Sequence, residues 1–187
     1  MTFFKSLPEN AGPPNVFKEH PDIYGPFSEM SQALMNGPST LTQAEREIVL
    51  AFAAGVLDCE FVFIGHSEVA YAWGVERGLL DELIHDLNNP KIDDGLKALL
   101  KFVLKLAQSP NEMTEDDASN VFRAGWDEKA LHDAIAITAR AAFMQRLIAG
   151  HGFALLDRDV AQSHARKRVE KGYVNLYKTF KKGQDAN

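Results

Sequence analysis

Apolar residues recur along most of this chain at intervals of three and four, the spacing of one helix face. Ile48, Val49, Phe52, Ala53 and Val56 follow that rule. They come just after Thr42-Gln43-Ala44-Glu45, where a hydroxyl and a carboxylate three residues on have capping-box spacing. The pattern predicts a helix over 42–56. A second helix, capped by Asp58 and ended by Gly78, carries Phe61, Val62, Gly65, Val69, Ala72 and Trp73 on its apolar face. Shorter or strongly patterned helices are predicted over 28–35, 79–87, 93–108 and 114–124, each closed by Gly, Pro or Asn-Gly-Pro. Asp127 caps a long helix reaching about Gly150. Its middle, DAIAITARAAFMQRLIAG, is apolar on most sides and suits a core or a subunit contact. The last helix is predicted over 157–180, with Val169, Tyr173, Leu176 and Phe180 spaced 4, 3 and 4 as a packing seam. No alternating strand pattern occurs. The expectation is an all-α bundle of seven to eight helices.

Residues 1–27 break the pattern. They hold Pro8, Pro13, Pro14, Pro21 and Pro26, five of the eight prolines. Proline lacks an amide donor and disfavours helix at the residue before it. An extended arm lying on the body is predicted there, with a short helical turn near Phe17–His20. The whole chain, 1–187, reads as one domain, which its length suits.

Charge and composition remove several function classes. The net charge of -6 disfavours a nucleic-acid partner. It is uneven: residues 157–187 carry eight Lys/Arg against four Asp/Glu. A solvated basic helix face accounts for that block, and contact with an acidic neighbouring subunit is the alternative. No apolar run is long enough for a membrane span, and the start lacks the apolar stretch of a signal peptide. A cytoplasmic location without membrane contact is expected. Walker, Rossmann, zinc-finger and Gly-x-Ser-x-Gly motifs are absent from the sequence, and no cofactor is expected.

One constellation could carry chemistry. Cys59, the only cysteine, shares a helix face with Val62 and His66 at i, i+3 and i+7. Glu47 lies one helix earlier and faces the same core if the two helices pair. The first turn of a helix favours thiolate at Cys59, while Asp58 and Glu60 oppose it. Burial as a small apolar residue is the commoner fate of a lone cysteine. A Cys/His/Glu metal site fits the ligand types but not the spacing, since i+7 is too long for neighbouring ligands on a straight helix. No metal is expected.

The stretch LTQAEREIVLAFAAGVLDCEFVFIGHSEVA resembles the catalytic segment of the alkylhydroperoxidase D/carboxymuconolactone decarboxylase family. That family has a Glu, a Cys-x-x-Cys twelve residues on, and a His four residues past the second Cys. Glu47, Cys59 and His66 occupy the matching positions, and Val62 stands where the second Cys belongs. NVFKEHPDIYGPFSEMSQALMNGPSTLT resembles the lead-in of the peroxidase-related branch. The stretch from DDGLKALLKFVLKLAQ to FMQRLIAGHGF resembles its second half. The resemblance implies the all-helical fold of that family, assembly as a homo-oligomer and catalytic positions at Glu47, Cys59 and His66. It assigns Cys59 the resolving role, with no attacking sulfur at Val62, so the internal dithiol cycle is closed to this chain.

Three readings stay open at this point. Cys59 could act alone on an organic peroxide, with Glu47 and His66 moving protons and an external thiol restoring it. Glu47 and His66 could do acid/base chemistry without sulfur on a small acid or lactone, as the family's decarboxylase branch implies. The fold could also serve as a non-catalytic oligomeric binding protein.

Overall fold

The computed structural model describes residues 2–175. Among them are nine α-helices, one 3-10 turn at Pro110–Glu112 and no strand. The helices are α1 (Pro13–Glu19), α2 (Pro21–Asn36), α3 (Gln43–Val56), α4 (Glu60–Ala72), α5 (Leu79–His85), α6 (Asp94–Gln108), α7 (Glu115–Arg123), α8 (Glu128–His151) and α9 (Arg158–Lys171). The all-α expectation holds, and the expected count of seven to eight falls short.

The shortfall lies in the proline-rich stretch. It is not an extended arm: α1 and α2 fill most of it. Pro13 and Pro14 open α1, and Pro21 opens α2. In the first turn a missing N–H costs nothing, because that amide has no intrahelical partner, and the fixed φ is already helical. Pro26 lies inside α2, where it forgoes one backbone bond without ending the helix. Two guanidinium bonds close the far end of α2: Arg46 Nη1 donates to the carbonyls of Leu34 (3.0 Å) and Gly37 (2.9 Å).

Helix α3 is the centre of the molecule. Val49, Leu50, Ala51, Phe52, Ala53 and Ala54 are fully buried, and the helix packs on α4, α8, α6 and α5. Its start is the expected capping box: Thr42 Oγ1 accepts from the Glu45 N–H (3.2 Å), and Glu45 Oε2 accepts from the Thr42 N–H (2.7 Å). Such a cap contributes about 1 kcal/mol. The expected caps Asp93 and Asp127 likewise hold the starts of α6 and α8.

The turn from α3 to α4 departs from expectation. Asp58 does not cap α4; it ends α3. Its φ is 55°, left-handed, and its N–H donates to Gly55 O (3.0 Å), while the Cys59 N–H donates to Ala54 O (2.9 Å). That bond pair is a Schellman closure, and Asp is among the few residues that tolerate the conformation. Cys59 is then the N-cap of α4. At its other end α4 stops at Ala72, short of Gly78. Gly74 takes a positive φ directly after the C-cap Trp73, and Gly78 instead leads into α5.

Helix α8 buries Ala130, Ala134, Ile137 and Ala141 completely and leaves Ile135 and Phe143 exposed. Its last turn holds the N-terminal segment: His151 O accepts from the Phe3 N–H (2.9 Å) and from Thr2 Oγ1 (2.8 Å), and the His151 ring stacks between Phe4 and Phe153.

Helix α9 lies over α4, with the small residues Ala161 and Ala165 buried along it. It stops at Lys171 rather than near 180, because Gly172 takes φ 68°, ψ -161°. Only glycine holds such a conformation without strain. Of the predicted seam, Leu176 and Phe180 lie outside the described residues. Tyr173 is not on the helix at all. The glycine turn sends it inward, its N–H donating to Gln32 Oε1 (2.6 Å). No described helix is long and apolar enough to cross a membrane.

Candidate functional site

Pairing of α3 with α4 brings Glu47 and His66 together in the interior. Both are buried, and His66 Nδ1 lies 2.7 Å from Glu47 Oε2. The second carboxylate oxygen is also held: Tyr173 Oη donates to Glu47 Oε1 at 2.9 Å. The Tyr173 ring lies nearly parallel to the His66 imidazole, with centroids 6.4 Å apart. From α9, Arg168 Nη1 reaches to 3.5 Å from His66 Nε2, and its guanidinium sits over the Tyr173 ring. From α8, the Arg140 guanidinium also sits over Tyr173, and over Phe27, while its Nε donates to Ser31 Oγ (3.0 Å).

These neighbours fix the charge states. Burial pushes the Glu47 carboxyl upward. The hydrogen bond from His66, its charge once the imidazole is protonated in acid, the Arg168 guanidinium and the Tyr173 hydroxyl overcome that and bring it below the usual carboxylate range. Burial pushes the His66 imidazole down to about 4, with Arg168 and Arg140 acting the same way against the pull of Glu47. Burial, reinforced by Glu47, raises the Tyr173 phenol. At neutral pH the centre therefore holds a carboxylate, a neutral imidazole and a protonated phenol. A neutral imidazole against a carboxylate donates from Nδ1, which leaves the lone pair on Nε2.

His66 lines a cavity of about 370 Å³ bordered by α1 and the residues before it, α2, α4, α8 and α9. Phe61, Val62, Met144, Leu156 and Val160 form its apolar wall, and His66, Arg140, Arg168 and Tyr173 supply polar edges. Glu47 stays behind His66 and does not line it. Val62, where the resembled family has its second sulfur, faces this space beside His66. The arrangement can take a proton at Nε2 and stabilise the resulting cation through Glu47, beside a largely apolar wall.

Cys59 is elsewhere. It is buried in the apolar core and does not line the cavity. Burial pushes its thiol up, against the one backbone N–H, of Val62, that favours thiolate. So the structure joins Glu47 to His66 and leaves Cys59 outside their cavity. Sequence reasoning missed Tyr173, Arg168 and Arg140. Tyr173 was assigned to packing, and Arg168 sits in a charged block. Arg140 did leave a signal, as the single cation within the apolar run IAITARAAFM. Among the described residues no group of three His, Cys, Asp or Glu side chains is placed to hold a metal ion.

No protein-family model and no curated protein matches the chain. Solved structures do. One is an alkylhydroperoxidase AhpD core, an uncharacterized peroxidase-related protein of Ralstonia eutropha JMP134. It superposes with a TM-score of 0.71 at 21% identity, covering 79% of this chain and 78% of that one. Another is an uncharacterized peroxidase-related protein of Silicibacter sp. TM1040, with a TM-score of 0.69 at 18% identity, covering 86% of this chain and 95% of that one. The described helices, in this order and centred on the α3–α4 pair, thus form an AhpD-like fold.

Proposed function

We propose that this chain is a peroxidase-related member of the alkylhydroperoxidase D/carboxymuconolactone decarboxylase family that has given up sulfur chemistry and works as an acid/base enzyme on a small molecule. The observation that carries the reading is the buried chain Tyr173–Glu47–His66, with Arg168 Nη1 3.5 Å from His66 Nε2, at a cavity that His66 lines and Cys59 does not. The reaction class is proton transfer at a carbon next to a carbonyl. Nε2 takes the proton, the electron pair moves to the carbonyl oxygen, and Arg168 beside Nε2 steadies the oxyanion. Glu47 stabilises the imidazolium until the proton returns to carbon, so the steps balance without a redox partner. The apolar wall, Val62 included, keeps water from competing. Homo-oligomerisation through the exposed apolar residues of α8, Ile135 and Phe143, belongs to the same reading and is checked by light scattering on the eluted protein.

The test is deuterium uptake. Small ketones and lactones are incubated with the protein in D2O and followed by proton NMR. Uptake is expected with the wild type and with Cys59→Ser, and its loss with Glu47→Gln and His66→Asn. Thiol-dependent peroxide turnover that disappears in Cys59→Ser, with no uptake from any compound, would return the function to the single-cysteine peroxidase reading.

A further inference from the structure

The acid/base centre leaves one charge beside it unexplained. Arg140 lies in the middle of α8 and is 6% exposed. Its Nε donates to Ser31 Oγ, and its guanidinium carbon lies over the rings of Phe27 and Tyr173, 5.5 and 5.2 Å from their centroids. Its Nη1 is buried and has no hydrogen-bond partner among the described residues. Nor does any carboxylate there form an ion pair with it. A buried guanidinium with an unsatisfied donor is costly, and folds keep one where something else completes it.

The charge balance points the same way. At neutral pH the centre holds one carboxylate, Glu47, against two guanidiniums, with His66 neutral. Arg168 lies at His66 Nε2 and also favours the Glu47 carboxylate. Glu47 acts on Arg140 as well, so one carboxylate faces two guanidiniums and the pair keeps one positive charge in excess. Arg140 Nη1 and Arg168 Nε are both buried without a hydrogen-bond partner among the described residues. Both Arg140 and the Nε2 end of the proton relay line the same cavity. The space beside them is walled by Phe17, Phe61, Val62, Met144 and Leu156.

We propose that Arg140 is a carboxylate-binding residue, and that the molecule the His66 centre acts on is a small monocarboxylate with an apolar body. The proposal rests on the acid/base reading for what happens to that molecule, but not for its binding. A guanidinium is a planar fork that pairs with a carboxylate through two parallel hydrogen bonds. The Ser31 bond and the two ring contacts restrain the fork, so little ordering is needed when the anion arrives. The apolar wall would then take the rest of the molecule, which separates this site from one for a free inorganic anion.

Benzoate is the probe, with benzamide as its neutral counterpart and inorganic phosphate as the anion without an apolar body, each titrated into the full-length protein by calorimetry. Benzoate is expected to bind ~30-fold or more tightly than benzamide, the effect of a charged pair formed out of water, and more tightly than phosphate. Arg140→Gln is expected to abolish the preference for benzoate. Should that variant fail to fold, Arg140→Lys keeps the charge without the fork, and ~10-fold weaker benzoate binding with the preference retained is expected. Equal binding of benzoate and benzamide, a preference unchanged in Arg140→Gln or undiminished binding in Arg140→Lys, or phosphate binding as tightly as benzoate each overturns the proposal. Glu47→Gln disables the base and is expected to bind benzoate still. Selective benzoate binding without proton exchange in the wild type would therefore sink the acid/base reading and leave this subsite standing.

Discussion

Two buried corners of the α3–α4 pair carry the residues of interest, and they differ in everything but burial. At the top of α4, Cys59 is packed among apolar side chains with its thiol pushed toward the neutral form. Two turns further on, His66 is as deeply buried but is joined to a carboxylate, a phenol and two guanidiniums, and borders a cavity. Desolvation acts on both and favours the uncharged form of each. For a thiol that means silence, since the thiolate is the reactive species. For an imidazole it means readiness, since the neutral ring is the base. The same burial that disarms one residue arms the other.

The comparison is sharpest in rate. Glu47→Gln or His66→Asn should lower proton exchange ~10²–10⁴-fold, the range for removing a positioned acid/base group. Cys59→Ser should leave the rate unchanged. A matched loss in all three would erase the distinction between the corners.

Next comes pH. The folded His66 titrates near 4, against 6.5 for the free side chain. The unfolded chain thus binds the extra proton first. His66's contribution to stability is complete above pH 6.5 and is lost as pH falls toward 4, by up to ~3 kcal/mol. Urea midpoints measured from pH 7 to pH 4 in wild type and His66→Asn check this: the wild type should lose more. An equal fall in both would mean that His66 is not held neutral by the fold.

Smaller effects follow from the supporting groups. Tyr173→Phe removes one charge-assisted bond to Glu47 and should cost about 2 kcal/mol in denaturant unfolding. Replacement of Gly172 by Ala should displace the same tyrosine, because the conformation at φ 68°, ψ -161° resists a side chain. The smallest stability change is expected at the silent corner. Cys59→Ala removes one small buried group, at about 1 kcal/mol, and Cys59 in the native protein should resist iodoacetamide. Rapid alkylation would show a thiolate that the structure does not provide for.

Much of the fold could be read from local rules. The Thr42/Glu45 box, the Asp93 and Asp127 caps and the apolar faces of α3, α6 and α8 each depend on residues within a turn of one another. The errors arose where one local signal fits two structures. A proline opens a helix as readily as it marks an extended arm, which hid the start of α1 and the first seven residues of α2. An aspartate ahead of an apolar run suggests a cap, whereas Asp58 is the left-handed end of α3. The site was half legible. Glu47 and His66 stand at positions that the family resemblance implies, and Cys59, implied with them, lies outside their cavity. Tyr173 and Arg168 reach them across 126 and 102 residues of chain, and no periodicity reports a contact of that range. Arg140 alone left a trace, as a cation where the helix pattern asked for an apolar residue.

The proton on His66 tests the account most directly. Nitrogen-15 NMR of the imidazole distinguishes the two ring nitrogens and their titration. A neutral ring protonated on Nδ1, with Nε2 unprotonated, is expected unchanged from pH 7.5 down to about pH 5. A ring that titrates near 6.5, or that carries its neutral-state proton on Nε2, would contradict it.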